Sequence, residues 1–259
     1  MECALCRHDR EIRRSHIIPE FLYEAMYDEK HRFHVLSVIE DQKDWMEQKG
    51  LREPLLCDDC ETKISRFEDY GRRVLKGGAE FEFQREGSAV IVEGLDYRRF
   101  KLFQLSILWR AGVSTLDLFQ HVKLGPFEEN LRNMVLDEQP GKQEDFGCVM
   151  FGLKNGINAI ADLIVQPVRT RSDDGHCCYR FVFGGFQRVF FVSSKPNTGS
   201  YSVGFLQESG RLCFVVKSVF EANWVSSFGK RRAQLGRVSQ MRSNIAFDKD
   251  APIVARPSI

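Results

Sequence analysis

The chain has 259 residues, of which 43% are hydrophobic and 28% are charged, and its formal net charge is +1. This balance is typical of globular proteins and excludes a disordered chain, which would be poorer in apolar residues and more highly charged. No apolar run reaches the roughly 18 residues that a membrane-spanning helix needs, and Met1-Glu2-Cys3 does not begin a signal sequence. We therefore expect a cytoplasmic protein that does not bind membranes. The length predicts more than one structural part.

Four cysteines in the first 60 residues form two pairs with two residues between the members of each pair: Cys3 with Cys6, and Cys57 with Cys60. Each such pair brings two thiolates within reach of one tetrahedral Zn²⁺ ion, and two pairs complete an all-sulfur site of the closed, structural kind. In the cytoplasm, paired cysteines more often bind a metal than each other. The spacing therefore predicts that a structural zinc ion organises the N-terminal region. The other four cysteines lack ligand spacing and are predicted to be buried apolar residues.

The residues around the second pair predict a strand, a metal-binding turn and then a helix. Residues 53–56 are mainly apolar, and the acidic residues directly after Cys57 suit the first turn of a helix because they complement its dipole. Together with the His-Ile-Ile-Pro segment that begins at His16, these features resemble the HNH endonuclease family, whose ββα-metal core is often held by two such cysteine pairs. The resemblance covers residues 1–78 and implies a zinc-bound treble clef there.

The resemblance implies that His16 is the general base that activates water for phosphodiester hydrolysis. An imidazole suits this role because its ordinary pKa lies near neutrality and one ring nitrogen can accept a proton. The resemblance also implies a single catalytic Mg²⁺ or Mn²⁺ ion that stabilises charge on the scissile phosphate and on the leaving 3′-oxygen.

The candidate ligands for that ion differ from those that the family commonly uses. Ser15 stands where the family usually has an acidic residue or a histidine, and Glu61 and Ser65 stand where it usually has histidines. Glu61, Ser65 and Glu68 share one helical face, and Mg²⁺ and Mn²⁺ prefer oxygen ligands. The candidate ligands of the catalytic ion are therefore Ser15, Glu61 and Glu68. The alternative is that Glu61 only complements the helix dipole and that Glu68 is a solvated charge.

Basic residues crowd the approach to His16 and predict contacts with nucleic acid. Residues 1–78 contain fourteen Lys and Arg against seventeen Asp and Glu, which excludes a generally basic DNA-binding domain. The charges are segregated, however, and a basic rim beside an acidic metal pocket suits a phosphodiesterase. The candidate phosphate-binding residues of this rim are Arg7, Arg10, Arg13 and Arg14. The alternative is that they form a solvated face of a hairpin.

The glycine pair at residues 77 and 78 predicts a boundary, after which a mainly helical segment covers residues 79–147 and a β-rich body covers residues 148–259. The helical segment is predicted to begin with a hairpin over residues 80–92. Its predicted helices cover residues 97–111, 116–121 and 127–136. The first of these helices is apolar around most of its circumference and is predicted to be buried.

Short aromatic and β-branched segments, separated by turn residues, predict an antiparallel sheet in the body. The predicted strands cover residues 160–168, 179–183, 188–193, 200–205 and 212–216. Beyond them, residues 229–242 contain basic residues and no acidic residue, a pattern that can track a phosphate backbone. The candidate contacts there are Lys230, Arg231, Arg232 and Arg237. An exposed tail is the alternative.

These features together predict an α+β protein with an N-terminal zinc-bound treble clef of the HNH-like ββα-metal kind, a helical middle and an antiparallel β-rich C-terminal body. The function that the resemblance implies is metal-dependent endonuclease activity on nucleic acid, with DNA as the expected substrate, in restriction or antiphage defence. The alternative is a non-catalytic zinc-binding module that recognises nucleic acid or a protein partner. The C-terminal body is the candidate surface for a protein partner or for homo-oligomer formation.

Overall fold

The computed structural model describes residues 1–37, 44–48, 50–159, 163–194 and 199–218. These residues form three α-helices: α1 (Asp58–Lys76), α2 (Tyr97–Val113) and α3 (Phe127–Leu136). Their strands are β1 (Ile12–His16), β2 (Arg32–Leu36), β3 (Trp45–Gln48), β4 (Arg52–Cys57), β5 (Glu82–Glu86), β6 (Ala89–Glu93), β7 (Cys148–Asn155), β8 (Asn158–Ala159), β9 (Ile164–Arg171), β10 (Cys177–Phe183), β11 (Phe186–Phe191) and β12 (Leu212–Ser218). The predicted α+β class is confirmed. No helix in the described ranges is long and apolar enough to cross a membrane.

Ten of these strands form one sheet in the order β3-β2-β9-β10-β11-β7-β12-β6-β5, with β8 paired to β7. Most neighbouring strands are antiparallel, as predicted, but β2 pairs with β9 and β12 pairs with β7 in parallel register. Both parallel pairs join strands that are far apart in the sequence. The sheet takes strands from all three predicted parts of the chain, since β2 and β3 come before residue 78, and β5 and β6 come before residue 148.

A separate two-stranded ladder pairs β1 with β4 in antiparallel register and places His16 opposite Arg52. Strand β4 ends at Cys57 and helix α1 begins at the next residue, so the predicted order of strand, turn and helix is present. The carbonyl of Leu55 in β4 accepts a hydrogen bond from the Ala4 N–H at 3.0 Å. This bond holds the first cysteine pair beside the end of β4.

Helix α2 packs between helix α1 and the large sheet. Its residues 100–111 are all buried, which confirms the burial predicted from the apolar residues around its circumference. Helix α1 approaches α2 closely, because a Cβ atom on Gly71 would lie 2.7 Å from the ring of Phe103. Towards the sheet, Gln104 Nε2 donates to Met150 Sδ of β7 at 3.4 Å. Side chains of α2 therefore contact both helix α1 and strand β7 of the body.

Two of the elements predicted from the sequence are wrong. Residues 116–121 contain only the 3₁₀ turn Asp117–Phe119, since so short a segment supplies too few hydrogen bonds to hold an α-helix. Residues 200–205 contain the 3₁₀ helix Ser200–Gly204 in place of a strand. There the Ser202 N–H and hydroxyl both donate to the Gly199 carbonyl, at 3.0 and 2.8 Å. Such local bonds compete with a strand ladder.

The other predicted elements in the described ranges are present, some with shifted ends. Helix α3 has the predicted bounds, and the predicted hairpin is formed by β5 and β6. The strand predicted over residues 188–193 is β11, which begins earlier because Gly184 and Gly185 form a tight turn with φ values of 57° and 81°. The start of the strand predicted over residues 160–168 and the basic run over residues 229–242 lie outside the described residues.

Candidate functional site

The four N-terminal cysteines meet at one point of the structure. The sulfur atoms of Cys3, Cys6, Cys57 and Cys60 all lie within 4.8 Å of one another. Cys6 Sγ and Cys57 Sγ are 3.8 Å apart, and a tetrahedral Zn²⁺ ion with Zn–S bonds of about 2.3 Å requires sulfur separations of about 3.8 Å. The four thiols can therefore hold one metal ion such as zinc. In the described part of the chain, no other group of three or more His, Cys, Asp or Glu ligands is this compact.

Backbone hydrogen bonds favour ionisation of one thiol in this group of four cysteines. The Cys57 N–H donates to Cys3 Sγ at 3.3 Å. Burial opposes ionisation of Cys3, but backbone N–H groups of Cys6, Cys57 and Leu5 outweigh it and lower the pKa of Cys3 to about 7. Burial and the neighbouring thiol of Cys57 raise the pKa of Cys60. A bound cation is therefore needed to hold all four groups as thiolates, the form that binds metal.

His16 lies at the end of β1, and its side chain is 24% exposed. Its Nε2 atom is buried and has no hydrogen-bond partner within the described residues. The distance from Nε2 to Glu20 Oε2 is 3.7 Å. Burial lowers the pKa of His16 below its ordinary value, Glu20 opposes this effect, and Arg52 and Arg110 add to it. The imidazole is therefore neutral near pH 7, which is the form that can accept a proton.

The serines and glutamates considered as ligands of the catalytic ion, Ser15, Ser65, Glu61 and Glu68, are not equivalent in the structure. The buried Ser15 Oγ accepts the Leu56 N–H at 3.0 Å and so joins β1 to β4. The exposed Ser65 donates its hydroxyl to the Thr62 carbonyl at 2.8 Å. These hydrogen bonds do not direct either serine towards a ligand site shared with the two glutamates.

The two glutamates of α1 lie close enough to influence each other, because Glu61 contributes to the pKa of Glu68. Burial raises that pKa, Arg110 opposes the rise, and Glu61 adds to it. Glu61 Oε1 is buried without a hydrogen-bond partner in the described ranges. Glu68 Oε1 lies 2.7 Å from Arg110 Nη2 in an ion pair. In the described part of the chain, His16, Glu61 and Glu68 do not form a ligand group as compact as that of the four cysteines. The Mg²⁺ or Mn²⁺ ion expected at Ser15, Glu61 and Glu68 stays a prediction.

Arg110 of α2 is the residue of this site that the sequence did not indicate. It is 1% exposed, and its Nη1 donates to the His16 carbonyl at 2.5 Å. Its Nε donates to the Ser106 carbonyl at 3.1 Å, while Nη2 lies against Glu68. The guanidinium thus joins the end of β1 to helix α1. A charged residue within the stretch of α2 that was predicted to be buried is the signal that could have found it, because arginine is almost never fully buried unless it is paired.

The arginines predicted to bind phosphate have partners within the protein. Arg7 pairs with Glu129 of α3, and Arg10 pairs with Asp59 of α1. Arg13 lies 3.3 Å from Glu11 and 3.4 Å from Asp58, and Arg14 donates to the Arg52 carbonyl at 3.3 Å. The side chains of Arg7, Arg10 and Arg13 are about half exposed, so they retain N–H groups at the surface. Their contact with nucleic acid stays a prediction. Lys230, Arg231, Arg232 and Arg237 lie outside the described residues.

Comparisons of the chain with protein-family models, curated proteins and solved structures found no match. The resemblance of residues 1–78 to the HNH endonuclease family accordingly stands on the cysteine pairs, His16 and the strand-to-helix order alone.

Proposed function

We propose that the N-terminal region is a zinc-bound, HNH-like treble clef that hydrolyses phosphodiester bonds of nucleic acid, with DNA as the substrate and restriction or antiphage defence as the setting. The observation that carries this proposal is the environment of His16. The side chain is partly exposed although its Nε2 is buried, Nε2 has no hydrogen-bond partner in the described ranges, and burial lowers the pKa of the ring. These properties suit a general base.

In the proposed reaction, His16 Nε2 takes a proton from a water molecule whose oxygen attacks the phosphorus atom. The bond from phosphorus to the 3′-oxygen breaks, and that oxygen takes a proton from solvent. The zinc ion has no part in the reaction, because four sulfur ligands close its coordination. Arg110 holds the base in place through the His16 carbonyl. The Mg²⁺ or Mn²⁺ ion of the family would need Glu68, which is already paired with Arg110, so no step is assigned to it.

The test compares cleavage of plasmid, single-stranded DNA and RNA by the full-length protein and by its His16→Ala variant. We expect the substitution to reduce the cleavage rate about 10²- to 10⁴-fold and to leave bound zinc and DNA affinity unchanged. His8→Ala is the matched control, because His8 is exposed in the loop after the first cysteine pair. Equal rates for wild type and His16→Ala would remove His16 from the reaction. Failure of the wild type to cleave any of these substrates would contradict the proposed activity.

A second candidate function is recognition of nucleic acid or a protein partner by a non-catalytic zinc module. The observation that favours it is the use of Ser15 and Glu68 in internal contacts, with Leu56 and Arg110 respectively. Under this alternative the wild type binds DNA or a protein without cleaving nucleic acid, and His16→Ala binds equally well. The same assay, read together with a DNA-binding titration, separates the two functions.

A further inference from the structure

We propose that the guanidinium of Arg110 occupies the cation position of the His16 site, so that the wild-type site takes no divalent ion beyond the structural metal. This inference deepens the proposed function and rests on it for the catalytic meaning of the site. The claim about ion binding can be tested separately, because it concerns which cation the carboxylate of Glu68 holds.

The first support is the position of the guanidinium. Arg110 contacts both the residue proposed as the base and a carboxylate proposed as a metal ligand: its Nη1 donates to the His16 carbonyl at 2.5 Å, and its Nη2 lies 2.7 Å from Glu68 Oε1. A divalent ion shared by His16 and Glu68 would lie close to this positive charge. Two cations at such a distance in a poorly solvated site repel strongly.

The second support is the state of the candidate oxygen ligands. Ser15 Oγ is used by the Leu56 N–H, and Ser65 is exposed and bonded to Thr62. Mg²⁺ and Mn²⁺ need several oxygen ligands, of which carboxylates are the strongest. Glu68 is held by the ion pair with Arg110, which leaves Glu61, with its buried Oε1 unbonded in the described part of the chain, as the candidate carboxylate that no cation neutralises.

The third support is the burial of the pair. Arg110 is 1% exposed, and the side chain of Glu68 is 24% exposed. If Glu68 bound a metal ion in place of Arg110, the buried guanidinium would lose its carboxylate partner, which is costly in a poorly solvated environment. Removal of the guanidinium has the opposite effect, because it leaves Glu68 beside Glu61 with no cation. Two neighbouring, partly buried carboxylates then either take up a proton or bind a divalent ion.

The test measures Mn²⁺ binding to the full-length, zinc-loaded protein by electron paramagnetic resonance and calorimetry. We expect no Mn²⁺ site in the wild type at millimolar Mn²⁺, one site in Arg110→Met, and loss of that site in the double variant Arg110→Met with Glu68→Gln. Arg98→Met is the matched control, because Arg98 lies on the same helix and pairs with a glutamate, Glu138, at the surface. It should gain no site.

Three results would overturn the inference. They are a wild-type Mn²⁺ site that Glu68→Gln removes, a folded Arg110→Met variant that gains no site, and a gain of the same site in Arg98→Met. If Arg110→Met does not fold, as judged by circular dichroism, the comparison of wild type with Glu68→Gln decides the question.

Cleavage in EDTA separates this inference from the proposed function. With bound zinc verified as unchanged, wild-type cleavage that persists in EDTA supports the inference. Cleavage that appears only after Mg²⁺ or Mn²⁺ is added overturns the inference and leaves the proposed activity intact. If the wild type cleaves nothing, the proposed activity fails, and the Mn²⁺ measurements alone decide which cation occupies the site.

Discussion

The buried Arg110 and the partly exposed Glu68 form an ion pair, with Nη2 and Oε1 2.7 Å apart, that joins helix α2 to helix α1. The same guanidinium bonds to the carbonyl of His16. Arg110 is therefore one of the residues that join the cysteine-rich N-terminal region to helix α2, beside Ser114, which donates its hydroxyl to the Glu53 carboxylate of β4. Changes at this pair should alter both the stability of the fold and the properties of His16.

The first prediction concerns the stability of this pair. Glu68→Gln should lower the free energy of unfolding by about 3 kcal/mol, because it leaves the guanidinium buried without a carboxylate. The double variant Glu68→Gln with Arg110→Met should lose less than the sum of the two single changes, since neither charge then remains unpaired. Urea denaturation of the four proteins gives the coupling energy. Additive losses would show that the two side chains do not interact.

The second prediction concerns the metal group. Metal binding by four thiolates contributes folding free energy on the order of 10 kcal/mol in small modules. Cys57→Ser should therefore release the segment that carries Cys3 and Cys6 from the end of β4, and limited proteolysis should cut within residues 1–16, while β2 and β3 stay paired in the large sheet. Cys213→Ser in β12 is the control, because Cys213 lies outside the group of four. A Cys57→Ser protein with wild-type zinc content and resistance to proteolysis would contradict the prediction.

The cysteine group was the part of the site that the sequence could predict, because each pair of ligands is local and its spacing alone limits the chemistry. His16 could be predicted as a candidate from the neighbouring motif. The role of Arg110 could not, since it contacts a residue 94 positions away. That contact depends on how α2 packs between α1 and the sheet.

The large sheet shows the same limit of prediction from sequence, since local turns could be predicted and pairings of distant strands could not. Local turn residues predicted the hairpin of β10 and β11, whose turn contains two glycines. The parallel pairing of β12 with β7 joins strands nearly sixty residues apart, and nothing in either strand identifies its partner. Burial of the whole sheet decides that pairing.

The third prediction concerns Ser15, which was expected to contact the catalytic ion. In the structure its hydroxyl oxygen accepts the Leu56 N–H. Ser15→Ala should leave that buried N–H unsatisfied and lower the free energy of unfolding by about 1–3 kcal/mol. Neither the wild type nor Ser15→Ala should show an Mn²⁺ site. Thermal denaturation and Mn²⁺ calorimetry test both parts. A wild-type Mn²⁺ site that Ser15→Ala removes at unchanged stability would restore Ser15 as a metal ligand.

The fourth prediction concerns pH. Burial lowers the pKa of His16, and Arg110 adds to that effect, so the neutral base is already the main form at pH 7. Cleavage should be independent of pH above neutrality and should fall as the pH drops through the lowered pKa, because protonation removes the acceptor. Removal of the positive charge in Arg110→Met favours the protonated ring, so the pKa of His16 should rise and the fall in activity should begin at higher pH.

An NMR titration of the His16 ring measures this pKa without relying on activity. Arg98→Met serves as the control, because the guanidinium of Arg98 pairs with Glu138 at the surface. A pKa that stays unchanged or falls in a folded Arg110→Met protein would show that the guanidinium does not act on the base.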